Sequence, residues 1–344
     1  VMVFPGQGSQ WVGMGRELYE HYRPFAEQMR CCDEALKPFV EWSLIDVVLG
    51  APAAPELWRV DVVQPVLWAV MVSLARLWQS VGVVADAVLG HSQGEIAAAC
   101  VSGALTLQDA AAVVALRSRL LVQLTGEGAM VSLGCEASRA QALVTRWGGQ
   151  LDIAAINGIR SIVISGEVRA LEELIQLCEV EEIRTRRIDV DYASHSAQVD
   201  VIRADLMDAL AGIAPRPSSV EFISTVTGGV VDTAGLDADY WYRGIRQRVQ
   251  FAQAVRCAAQ LGARVFIESS PHPVLIAGIE ETLAEMAGGS SNGVVVVPTL
   301  GRDDGGLQRF WRSAGQAHVA GVDLDWPAVF NGHGHPVQLP TYAF

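Results

Sequence analysis

Short apolar runs that end on glycine or proline alternate, through roughly the first third of the chain, with longer segments whose apolar positions recur every three or four residues. VMVFPG at 1–6 and AVLG at 87–90 are of the first kind and read as short strands buried on both faces. Segments 15–36 and 65–79, GEIAAACVSG from Gly94, and LQDAAAVVALRSRLLVQL at 107–124 are of the second kind and read as helices. Short strands separated by long helices predict a parallel sheet covered on both faces.

The pattern changes after Gly126-Glu127-Gly128. AMVSLG reads as a strand, ASRAQALVTRW as a helix, LDIAAIN and SIVISG as strands joined by an Asn157-Gly158 turn, EVRALEELIQLC as a helix and EIRTRRIDVD as a strand. This β-α-β-β-α-β order over 128–190 suits a small split-βαβ sheet inserted into a larger domain. The larger domain resumes near 191 with AQVDVIRADLMDALA as helix and SVEFISTV as strand, then one helical stretch from about 240, YWYRGIRQRVQFAQAVRCAAQL. A strand, turn and helix at 263–286 and a last strand, VVVPTL, complete it. From 303 onward the apolar positions are too sparse for a separate core. The expected division is therefore 1–127 with 191–302, 128–190, and a linker at 303–344 lying across the body.

Composition narrows the function classes. Of the 344 residues 51% are hydrophobic and 18% charged, as in a folded globular chain. The net charge of −13, from 25 basic and 38 acidic side chains, argues against a nucleic-acid or anionic-membrane binder. Six cysteines without a CxxC or Cys/His cluster read as reduced, buried groups in a cytoplasmic protein, with no metal site. PVLWAVMVSLA at 65–75 is stopped by Arg76 and reads as too short to span a bilayer. Neither a signal peptide nor a lipidation motif is found, and an opening on VMVFPG without Met reads as a segment excised from something longer or trimmed at its start.

One strand-to-helix junction carries a chemical pattern. Gly90-His91-Ser92-Gln93-Gly94 matches G-x-S-x-G, in which flanking glycines let the chain turn tightly and project the serine as a nucleophile. Backbone N–H groups at the helix start, that of Gln93 included, can then stabilise an oxyanion. The alternative is a serine that merely caps a helix.

A serine nucleophile needs a base, and seven histidines are present. His21 and His318 fall in helices, His333 and His335 in a Gly/Pro-rich tail, His272 between two prolines, and His91 beside Ser92 pointing elsewhere. His195, where the chain returns from the insertion, is preferred by elimination, with His272 in reserve. Asp152, Asp189 and Asp191 lie between serine and histidine in chain order, but none stands out as a triad acid. A dyad oriented by a backbone carbonyl stays open beside a triad. Arg117 and Arg119 interrupt an apolar helix, and spacing does not say which is solvated and which offers its fork to a carboxylate.

Taken together, FPGQGSQ at 4–10, RVDVVQP at 59–65, GHSQGE at 90–95, RSR at 117–119, AAING at 154–158, YASH at 192–195, ESSPHPVL at 268–275 and LPTYAF at 339–344 carry a family likeness along essentially the whole chain. The sequence resembles the acyltransferase domains of modular type I polyketide synthases, within the malonyl-CoA:acyl-carrier-protein transacylase family. The resemblance implies an α/β-hydrolase-like large subdomain with a central parallel sheet and an inserted ferredoxin-like small one. It implies that Ser92 is acylated with His195 as base and acid, that the backbones of Gln7 and Gln93 form the oxyanion hole, and that Arg117, supported by Gln64, binds the extender unit's carboxylate. The Gln250 carbonyl is expected to orient His195. No permanently bound cofactor is implied; the acyl-CoA is substrate, and phosphopantetheine arrives on a partner acyl carrier protein, with a ketosynthase and linker regions as neighbours.

YASH, RVDVVQ and GHSQG resemble the methylmalonyl-selective variant, in which Tyr192, Ala193 and Ser194 stand where the malonyl-selective variant more often has HAF. A serine in place of phenylalanine at 194 leaves room for an α-methyl group, worth roughly 1–3 kcal/mol in a shaped pocket. Malonyl-selective or relaxed transfer is the nearer alternative. A serine hydrolase or thioesterase is the more distant one, and it would need an acid on His195 and no carboxylate-binding arginine.

Overall fold

The computed structural model describes residues 1–288, 293–330, 333, 337 and 338. Ten strands occur among them: β1 (Met2–Phe4), β2 (Ala87–Gly90), β3 (Ala129–Leu133), β4 (Leu151–Gly158), β5 (Ser161–Gly166), β6 (Thr185–Ile188), β7 (Glu221–Ser224), β8 (Gly229–Val230), β9 (Val265–Glu268) and β10 (Val295–Pro298). They form two sheets. The larger has the order β10-β9-β1-β2-β7-β8, all pairs parallel except β7 with β8. The smaller is antiparallel with the order β4-β5-β3-β6, which is the ferredoxin-like arrangement of a β-α-β-β-α-β run.

The parallel strands of the larger sheet are three or four residues long and mostly apolar, because both faces are covered. Val3 and Leu89 face one layer with Phe251 and Phe266, while Met2, Phe4 and Val88 join the main core on the other side. At the centre of that main core lies the helix Val60–Ser80, with Trp68 and Trp78 fully buried. By length and composition it is able to cross a membrane, yet 89% of the apolar window is enclosed by the fold. It also starts earlier than the expected residue 65 and holds Pro65 inside. An interior proline costs about 3 kcal/mol. Burial of Val60, Val62 and Val63 at about 1.5 kcal/mol or more each offsets this.

The small sheet has two different faces. Leu133, Ile153, Ile162 and Ile164 pack under the helices Ala137–Val144 and Val168–Val180 in a separate core. The alternate positions Met130, Ala155, Val163 and Ile188 turn toward the large sheet. Val249 clamps the two bodies together: its N–H donates to Ala154 O at 2.8 Å and its carbonyl accepts from Ile156 N at 2.9 Å. The segment after 303 includes a helix, Leu307–Val319, that shares the main core. Phe310 stands edge-on to Trp78 at 5.0 Å, and Thr299 is bonded to both Trp78 and Ser313. LPTYAF at 339–344 lies outside the described residues.

Candidate active site

β2 ends at Gly90 and the helix Gly94–Val101 starts four residues later, so the turn between them must be tight. A Cβ on Gly90 would collide with the Glu95 backbone, and one on Gly94 with the carbonyls of Phe4 and Pro5. Only glycine fits at either place. Ser92 between them has φ 52°, the left-handed region, a conformation costing on the order of 1–3 kcal/mol that the packed surroundings must enforce. Its side chain is thereby raised off the sheet toward His195, which has φ 59°.

Ser92 Oγ donates to His195 Nε2 at 2.9 Å, and His195 Nδ1 donates to Gln247 O at 2.7 Å. The second bond fixes the tautomer, leaving Nε2 as the acceptor. Burial above all, with the positive charge of Arg117 next to it, holds the imidazole down to about 3, so it is neutral at physiological pH despite the opposing bond to Gln247. The oriented partner is thus the carbonyl of Gln247, not that of the expected Gln250. The sequence suggests one unbroken helix here. The chain in fact forms two helices, Ala238–Arg246 and Phe251–Gln260, and the break between them turns the Gln247 carbonyl toward the histidine. Gln250 opens the second helix, its N–H on Thr225 O and its side chain on Val226 O.

None of the candidate acids takes part. Asp152 accepts from Ala197 N, and Asp189 and Asp191 are exposed. His272 is occupied elsewhere, accepting from Arg302 N. His91 does point away from the dyad: its Nε2 bonds Asn157 Oδ1 at 2.7 Å, and its ring lies 5.4 Å from Phe251. Asn157 is accordingly not a turn residue. It lies inside β4, one residue before the strand's end at Gly158, and lines the same cavity as Ser92, and the hairpin turn falls at Ile159-Arg160.

Around Ser92 is a cavity of about 170 Å³. Its wall includes Gln7, Gln64, Gln93, Arg117, Tyr192 and Ser194, roofed by the inward face of the small sheet. Arg117 and Arg119 project about 200° apart on one helix. Arg117 is 3% exposed whereas Arg119 faces solvent. Burial lowers the Arg117 guanidinium to about 10, which leaves it charged. Tyr192 accepts from Gln64 Nε2 at 3.1 Å and donates to Gln7 Oε1 at 2.9 Å, bracing two elements of the wall. Ser194 Oγ reaches Met130 Sδ at 3.6 Å, while Ala193 lies off the cavity against Gly128.

Several buried polar groups of this wall have no partner among the described residues: Arg117 Nε, Gln64 Oε1 and both side-chain polar atoms of Gln93. Each costs about 1–3 kcal/mol when unmatched. The backbone N–H groups of Gln7 and Gln93 likewise donate to nothing among the described residues. A neutral base on a serine, two free amides beside it and a buried cation across a small cavity are suited to nucleophilic attack on a carbonyl that carries an acid group nearby. The described residues hold no group of three or more His, Cys, Asp or Glu side chains able to bind a metal ion.

The family model described as "Acyl transferase domain" matches residues 1–324. Mycoketide-CoA synthase of Mycobacterium tuberculosis is 61% identical over 344 residues, all of this chain and 8% of that protein. Polyketide synthase GfsA of Streptomyces halstedii is 56% identical over 99% of this chain and 4% of its own length. The chain therefore spans under a tenth of these relatives. Among solved structures, the acyltransferase domain from module 8 of the salinomycin polyketide synthase superposes with a TM-score of 0.92 at 50% identity, covering 95% of this chain and 76% of that one. A loading acyltransferase from the avermectin modular polyketide synthase gives 0.88 at 45% identity, covering 92% and 99%.

Proposed function

This chain belongs to the acyl transferase domain family, and from that premise we propose that it loads a methylmalonyl unit from methylmalonyl-CoA onto Ser92 and passes it to the phosphopantetheine thiol of an acyl carrier protein. The observation that carries the reading is the Ser92–His195 pair set in one cavity with a buried, incompletely bonded Arg117. In the first half-reaction the Ser92 proton moves to His195 Nε2 as Oγ attacks the thioester carbon. The N–H groups of Gln7 and Gln93 receive the developing oxyanion. Its collapse expels coenzyme A, whose sulfur takes the proton back from the imidazolium. In the second, the carrier's thiol gives its proton to Nε2 and attacks the ester, and Ser92 leaves with that proton.

Arg117, with Gln64 near it, binds the carboxylate of the extender unit through a charge-assisted fork. That carboxylate also cancels the positive charge that, after burial, depresses His195. A substrate able to fill the clamp thus makes the base stronger, and acetyl-CoA does not. Ser194, small and on the cavity wall, leaves space for the α-methyl group. The length of the relatives supports a place within a larger synthase, beside a ketosynthase.

Incubation with radiolabelled methylmalonyl-CoA tests the reading. Label should reside on Ser92, be absent from Ser92→Ala and discharge onto holo carrier protein. Preferential labelling by malonyl-CoA in direct competition would refute the choice of extender unit, and release of label as free acid without carrier would refute transfer.

A further inference from the structure

Behind the elbow lies a buried carboxylate that takes no part in the steps above. Glu95, on the first turn after the nucleophile, is 1% exposed and faces no basic side chain at bonding distance among the described residues. Its Oε1 accepts from Thr225 N at 2.5 Å and is 2.9 Å from Thr225 Oγ1, and its Oε2 accepts from Tyr240 OH at 2.7 Å. Thr225 Oγ1 also lies 2.9 Å from Gly90 O, and Ser224 Oγ is 2.6 Å from Tyr240 OH. Every hydrogen in the cluster has an acceptor when Glu95 is ionised: the tyrosine serves Oε2, Ser224 serves the tyrosine, and Thr225 serves Oε1 through its N–H.

The far ends of these bonds matter more than the bonds themselves. Thr225 holds Gly90, the first glycine of the turn that raises Ser92, and its carbonyl accepts from Gln250 N at 2.7 Å. Tyr240 sits on the helix Ala238–Arg246, whose Ile245 carbonyl accepts from His195 N at 2.7 Å and whose exit supplies the Gln247 carbonyl for Nδ1. The segment 247–250 is therefore pinned at one end by Tyr240's helix and at the other by Thr225, and Glu95 bonds both.

We infer that Glu95 is a positioning residue: through Thr225 and Tyr240 its carboxylate fixes the serine-bearing turn and the segment whose carbonyls hold His195 relative to each other, and so sets the Ser92–His195 contact. This rests on the acyl-transfer reading for the role of Ser92, but its geometry does not depend on which acyl group is carried.

The test compares wild type with Glu95→Ala, Glu95→Gln and Tyr240→Phe in two assays. One is the rate of Ser92 modification by a small fluorophosphonate, read by intact-protein mass. The other is kcat and KM for methylmalonyl-CoA. A misplacement of the dyad by about 1 Å costs on the order of 100-fold. Glu95→Ala should therefore slow both reactions by about that factor with KM unchanged. Tyr240→Phe, which opens no cavity, should slow them about tenfold and keeps the inference testable if Glu95→Ala does not fold. Glu95→Gln should recover most of the rate, since its carboxamide can accept from Thr225 and donate to Tyr240, which then donates to Ser224. Wild-type fluorophosphonate rates in Tyr240→Phe would overturn the inference. So would a Gln variant as slow as the Ala variant, or a rise in KM at constant kcat, since those mark a role for the charge in substrate binding. A wild-type protein that reacts with fluorophosphonate but takes no methylmalonyl group would count against the proposed substrate and leave the Glu95 comparison intact.

Discussion

Replacing Arg117 with methionine should move activity and stability in opposite directions. The guanidinium is 3% exposed, its Nε has no partner among the described residues, and burial brings it well below the ordinary arginine value, down to about 10. Keeping that charge buried therefore costs the folded state about 3 kcal/mol at neutral pH, at roughly 1.4 kcal/mol for each pH unit of displacement. Methionine fills similar space without a charge, so the variant should gain up to about 3 kcal/mol in unfolding free energy. If Arg117 clamps the extender unit's carboxylate as proposed, the same change removes two charge-assisted hydrogen bonds to it, each worth about 1.5–3 kcal/mol. The kcat/KM for methylmalonyl-CoA should then fall by about 10²–10⁴-fold. Transfer from acetyl-CoA, which has nothing to offer the clamp, should hold steady or improve. Denaturant melts give the first quantity, and coenzyme A release with each thioester gives the second. An equal loss on both substrates, or a variant that melts earlier than wild type, would refute the argument, because either result makes Arg117 a structural residue.

Three further outcomes are expected. Ser194→Phe, alone or with Tyr192→His, should shift a mixed malonyl-CoA and methylmalonyl-CoA competition toward malonyl by about 10–200-fold, with the product ratio as readout. Single-turnover acylation should be flat from pH 8 to pH 5, since His195 stays neutral down to about 3; a fall with midpoint near 6.5 would contradict this. Because that value lies below the ordinary 6.5 of the unfolded chain, the unfolded state binds the extra proton. The corresponding stability is complete above about pH 6.5 and is lost as pH drops toward 3, visible in denaturant midpoints. Asn157→Leu removes the partner of the half-buried His91 and should lower unfolding free energy by about 1–3 kcal/mol, measured the same way.

The sequence carries more of the large sheet than of the site's detail. Strands such as Met2–Phe4 and Ala87–Gly90 are plain because unbroken apolar runs stop at Pro5 or pass into a glycine turn. Ser92 is legible for the same local reason, a steric need for Gly90 and Gly94 on either side. The choice between Arg117 and Arg119 is not, since it depends on which face of their helix meets the core. Nor is Gln247, whose part is played by a carbonyl that every residue has. Its only trace is the QRVQ interruption in an otherwise helical stretch. Asn157 was masked by its own sequence context: Asn-Gly is a strong turn signal, and tertiary contact with His91 overrode it. Glu95, adjacent to the matched pattern, gives no hint of its three hydrogen-bond donors, which come from residues 225 and 240.

The histidine is oriented by a main-chain oxygen, and this decides which genetic changes the site can survive. No point mutation deletes a carbonyl, so the side chain at 247 is free to drift without disturbing the base. A one-residue insertion or deletion between Arg246 and Phe251 is another matter, because it would rotate a different peptide group into place. The vulnerability of the base thus lies in the length of a four-residue joint rather than in residue identity.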